Sequence, residues 1–73
     1  MFAYDHYFVV KQENKYLCDW ILKDDGSYYP DTSSYLTDAV KYTMEDMAEH
    51  AMNRAIHITK SNNYYVQKIG EIL

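Results

Sequence analysis

Between residues 43 and 60 the apolar side chains recur at helical spacing. Met44, Met47, Ala51, Ala55 and Ile58 follow one another at steps of three and four, which places them on one face of an α-helix. Ala48 and Met52 widen that stripe. Glu45, Asp46 and Glu49 lie near its start and Arg54, His57 and Lys60 near its end, an arrangement that complements the helix dipole. Thr43 is placed to cap the amino terminus, with Asp46 as a short form of the capping-box acid and Tyr42 and Met47 as a hydrophobic staple. A competing start lies at Asp38, with Thr37 as the cap and Val40 on the stripe. The rod is roughly 22 Å long at about 1.5 Å per residue. Its three alanines allow a close approach to whatever it packs against.

The first half of the chain supplies that surface. Tyr4 to Lys11 is aromatic and β-branched, which suits a pleated strand. Gln12 to Lys15 reads as a turn, and Tyr16 to Lys23 as a second strand. Period two puts Tyr16, Cys18, Trp20 and Leu22 on one wholly apolar face, which is expected to point inward. Asp25-Gly26 suits a two-residue hairpin turn of type I′. The chain then returns through Ser27, Tyr28 and Tyr29, Pro30 restricts that third strand to a short or edge position, and Asp31 to Ser34 reads as a loop. Ala39 to Tyr42 is a candidate for a further short strand. After the turn residues Ser61-Asn62-Asn63, Tyr64 to Ile69 forms a last strand, followed by a loose tail from Gly70. The order is β-β-β-α-β. The expected fold is α+β, an antiparallel sheet of three to four strands with one helix packed on one face, and residues 1–73 form a single domain.

Charge narrows the function. Seven basic residues stand against eleven acidic ones, for a net charge of −4. The lysines and Arg54 are scattered rather than clustered, as binding to nucleic-acid phosphates or an anionic membrane surface requires. An acidic protein is better matched to a basic protein partner. The longest apolar run, Tyr7 to Val10, is too short for a membrane span or a signal sequence. A single cysteine excludes an internal disulfide, so the expected setting is cytoplasmic.

No residue group points to catalysis, a metal or a cofactor. Cys18 has Tyr16, Trp20 and Leu22 for neighbours on its expected face, surroundings that raise a thiol pKa and leave it inert. Asp46, His50, Asn53 and His57 share the polar side of the helix. Asp46 and His50 are close enough to share a cation, but no third ligand follows at motif spacing. Asp24-Asp25-Gly26 lacks the alternating acids of a calcium loop. The expectation is a protein that is not an enzyme.

The unusual feature is aromatic content: nine Tyr, two Phe and one Trp in 73 residues. A single-layer core of this size cannot hold them all. The adjacent pairs Tyr28-Tyr29 and Tyr64-Tyr65 must each send one ring away from the helix, and tyrosine is favoured at protein interfaces. The expected interaction surface combines Tyr28, Tyr29, Tyr64 and Tyr65 with the acids Asp19, Asp24, Asp25 and Asp31. Its occupant is an unidentified protein partner, or a second copy in a homodimer.

The run Tyr7-Phe8-Val9-Val10, Lys15-Tyr16-Leu17 and Trp20, then Ala39-x-x-Tyr42-Thr43-x-Glu45-x-x-Ala48, resembles small uncharacterised phage and prophage proteins of low-GC Gram-positive bacteria. The shared pattern is a hairpin followed by a capped helix, over about two thirds of the chain, and it carries no catalytic residues. The resemblance implies an accessory or early phage-type product that binds and modulates a host or defence protein. The Tyr-rich carboxyl-terminal strand departs from that pattern.

Overall fold

The structure is a computed structural model that describes residues 6–70. Strand β1 spans Tyr7–Gln12, β2 Lys15–Leu22 and β3 Tyr28–Ser33. A 3-10 turn at Leu36–Asp38 leads to helix α1, Glu45–Thr59, and then to β4, Tyr64–Ile69. All strand pairs are antiparallel, in the order β3-β2-β1-β4. The α+β fold in the order β-β-β-α-β is the one the sequence pattern predicts. The expected start at Tyr4 and the tail after Gly70 lie outside the described residues.

Helix α1 packs on one face through Ala48, Ala51 and Ala55, which meet Val10, Leu17 and Tyr64 in the core. Met52, Ile56, Phe8, Trp20, Tyr42 and Val66 border this cluster. Burying side chains such as Leu17 and Val10 contributes about 1.5–3 kcal/mol each. The alanines are buried as expected, but Met44 and Met47 are half exposed. Met52 borders the core as expected, and Ile56 joins it on the same side. Met44 is itself the N-cap residue, extended at φ −122° and ψ 140°, and no side chain caps the helix. Thr43 therefore lies one residue too early for its expected role, and the alternative start at Asp38 is occupied by the 3-10 turn. The reason is Tyr42, whose backbone bridges to Phe8 and holds the chain extended up to the helix.

The same bridge explains the Ala39–Tyr42 stretch. β1 and β2 pair directly only at Lys11–Tyr16 and Gln12–Lys15. Beyond that point Val40 donates its N–H to the Leu17 carbonyl at 3.0 Å, and Tyr42 bonds to Phe8. The stretch is a wedge between the two strands with a single bridge, rather than a full strand.

On β2 the predicted inward face is corrected by a bulge. The register with β3 shifts between Leu17 and Asp19, so the alternation restarts after Cys18. Leu17 points into the core before the bulge, and Trp20 borders the core after it. Tyr16 and Cys18 do not join the core cluster, and Leu22 is 60% exposed. The opposite sheet face has its own buried centre at Val9, which alternates with the core-facing Val10. Lys11 and Lys41 lie over the rings of Tyr16 and Tyr7.

Candidate functional site

Strand β3 is an edge strand, in keeping with Pro30, and it continues through Asp31 to Ser33, where a loop is expected, because those residues pair with β2. β2 and β3 run beyond the helix as a hairpin. Every residue from Ile21 to Tyr29 is exposed. Five residues, Lys23 to Ser27, connect the two strands, and the turn at their tip is three residues long rather than the expected two. Lys23 and Ser27 flank Asp24-Asp25-Gly26, with the Lys23 N–H donating to Ser27 at 2.7 Å and the Gly26 N–H donating back to Lys23 at 3.0 Å. Gly26 alone in this loop has positive φ, at 85°, where glycine carries no steric penalty. Asp25 Oδ1 accepts hydrogen bonds from the Ser27 hydroxyl and the Ser27 N–H. Those two bonds hold its carboxyl below the usual carboxylate range.

Pairing assigns each exposed side chain to a face. Trp20 opposes Pro30 and Leu22 opposes Tyr28, so these four share the side on which the helix lies. Ile21 opposes Tyr29 and Asp19 opposes Asp31, so these four share the outer side. Leu22, Tyr28, Ile21 and Tyr29 are each between 42% and 60% exposed, an apolar load on both faces of one hairpin.

The eight residues expected to form one surface are thus divided. Asp19, Asp31 and Tyr29 gather on the outer face of the hairpin, Asp24 and Asp25 at its tip, and Tyr28 on the helix side. β4 lies at the opposite edge of the sheet, three strand spacings away, roughly 14 Å. There Tyr65 is exposed on the outer face. Tyr64 is a correction: it opposes Gln12 on the helix side and is 7% exposed, within the core. A Tyr-Tyr pair in a strand alternates, but its spacing alone does not say which ring goes inward.

Asp19 and Asp31 are cross-strand partners. Each carboxylate accepts a hydrogen bond from the following backbone N–H, Trp20 at 2.8 Å and Thr32 at 3.0 Å. Like charges directly opposite one another are destabilising, and among the described residues no lysine or arginine forms an ion pair with either. Cys18 stands beside them at the bulge. Partial burial pushes its thiol pKa up, and the charge and hydrogen bonding of Asp31 push it further.

On the helix side, Trp20, Tyr42, Met47, His50, Ala51 and Arg54 line a depression of about 280 Å³. The Arg54 guanidinium lies over the Trp20 ring at 5.1 Å. Burial raises the Tyr42 pKa, against a smaller opposing effect from its hydrogen bond with the Trp20 side chain. Sequence reading missed this depression because Trp20, Tyr42 and Arg54 are brought together only by the wedge and the helix crossing.

Among the described residues no polar or charged side chain is buried, and no three His, Cys, Asp or Glu side chains gather as a metal site requires. No helix there is long and apolar enough to cross a membrane. No family model, curated protein or solved structure matches the chain.

Proposed function

We propose that the chain is a non-enzymatic protein-interaction module that binds a basic segment of a partner protein on the outer face of the β2–β3 hairpin. The observation that carries this reading is the Asp19–Asp31 pair. Two carboxylates held opposite each other cost stability in the free protein, and a lysine or arginine from a partner relieves that cost while forming charge-assisted bonds. Ile21 and Tyr29 beside them supply the apolar contact that such a surface needs. Asp24 and Asp25 at the tip extend the negative field and favour encounter with a cation-rich partner. The phage-protein resemblance supports an accessory role in which that partner is a host or defence protein, and the lone Cys18 suits a reducing cytoplasm.

The test is capture from cell lysate on the immobilised protein, with the retained proteins identified by mass spectrometry. A basic partner is expected to elute with salt. It should be lost from an Asp19→Asn/Asp31→Asn variant and from an Ile21→Ser/Tyr29→Ser variant. Undiminished capture by both variants rejects this surface.

A further inference from the structure

We infer that the helix-side face of the same hairpin is a self-complementary surface on which two copies of this chain form a two-fold dimer. The helix leaves Leu22 and Tyr28 uncovered, 60% and 44% exposed, on the same side as Trp20. Through Trp20 they are continuous with the depression, whose rim adds Met47 at 52% exposure. The ends of this apolar strip carry opposite chemistry. At one end is the Asp24-Asp25 tip. At the other is the Arg54 guanidinium, and the depression has no acid in its lining. The tip's own cation is drawn away, since the Lys23 ammonium sits 4.8 Å from the ring of Tyr29 on the outer face.

A strip with an apolar middle and opposite charges at its ends matches a copy of itself turned by a two-fold axis. That is the condition for an isologous interface, in which each contact occurs twice. The tip lies four to five residues beyond Trp20, roughly 13–17 Å along the strand at about 3.3 Å per residue. Leu22 and Tyr28 fall midway, at the axis, and pack on their own counterparts. The Asp24 carboxylate of each copy then reaches the Arg54 guanidinium of the other. This charge match within one face selects a second copy as the occupant. The surface is distinct from the outer face, which stays open in the dimer, so loss of either interaction leaves the other intact.

Light scattering over a concentration series tests the inference. The expected mass at high concentration is that of two 8.7 kDa chains, falling to one on dilution. Leu22→Glu, Arg54→Glu and Asp24→Lys should each leave only the single-chain mass, with circular dichroism confirming that each remains folded. An equimolar mixture of the Arg54→Glu and Asp24→Lys chains should regain the dimer mass, because both cross-contacts are then between opposite charges. A single-chain mass for the unmodified protein at every concentration overturns the inference. So does a dimer that persists in Leu22→Glu and Arg54→Glu, or a mixture that stays monomeric.

Discussion

Phe8 and Tyr42 exchange both backbone hydrogen bonds, the Phe8 N–H donating at 2.7 Å and the Tyr42 N–H donating at 2.8 Å. This one bridge sets the helix start, separates β1 from β2 beyond Lys11, and brings Tyr42 against Trp20. The Tyr42 phenol is partly buried and its pKa is raised above 10.0, chiefly by desolvation. The folded state therefore holds the phenol proton more tightly than the unfolded chain does. Stability from this group is full below the unfolded pKa and is lost as pH rises through the folded one. Denaturant midpoints for the unmodified protein should fall above about pH 10. The Tyr42→Phe variant should lose about 1 kcal/mol at neutral pH, from the missing Trp20 hydrogen bond, and should show a smaller alkaline decline. An equal decline in both proteins would show that the phenol is not the titrating group.

The alanine face permits little added volume. Ala48 and Ala55 are fully buried between α1 and the sheet, and inserting methylenes into a well-packed contact costs about 1–3 kcal/mol. Ala55→Leu is expected to destabilise by about 2 kcal/mol, or about 8–16 °C in Tm for a domain of this size. Asn53→Leu on the exposed side of the same helix serves as the control and should shift Tm by far less. A comparable Tm for Ala55→Leu and the control would mean that the helix does not sit close to the sheet.

Lys60 ends the helix at φ 60° and ψ 28°, its N–H donating to the Ile56 carbonyl at 2.8 Å. A side chain in this left-handed region costs about 1–2 kcal/mol, and glycine removes that cost at the expense of a more flexible unfolded chain. Lys60→Gly should therefore stabilise by about 0.5–1 kcal/mol, seen as a rise in urea midpoint at unchanged m-value. A fall in midpoint would place the Lys60 charge, near the helix carboxyl terminus, above the backbone term.

What the sequence made legible follows from which interactions are local. Ala48, Ala51 and Ala55 recur at helical spacing, so the helix and its small-residue contact are written in the order of residues. Pro30 likewise declares its strand an edge. The side chains whose positions depart from that local pattern depend on contacts between distant segments. Leu17 replaces Cys18 in the core because a bulge resets the alternation, and period two has no term for a bulge. Met47 lines the depression through the way the helix crosses the sheet, and Tyr64 faces the helix because β4 pairs with β1 in a register that sets it opposite Gln12. For the candidate surface, residue type alone points to the acids and tyrosines of the hairpin. The opposition of Asp19 to Asp31, on which the functional reading rests, emerges only from the shifted register.

That opposition gives a prediction that separates stability from binding. Asp31→Asn removes one of two facing carboxylates and keeps an oxygen able to accept the Thr32 N–H. Relief of a like-charge cross-strand pair is worth about 0.2–1 kcal/mol, so the variant should be more stable in low salt. The gain should shrink as ionic strength rises, because exposed charges are screened. The same change takes a negative charge and a hydrogen-bond acceptor away from Cys18, whose thiol pKa is raised first by partial burial and then by Asp31. Alkylation of Cys18 near pH 8 should therefore proceed faster in Asp31→Asn than in the unmodified protein, since only the thiolate reacts. Partner capture by the outer face should fall in the same variant. A chain more stable, more reactive at Cys18 and weaker in binding is the combined signature of an acid kept at this position for recognition rather than for folding. A variant less stable than the parent in low salt would instead make Asp31 a structural residue.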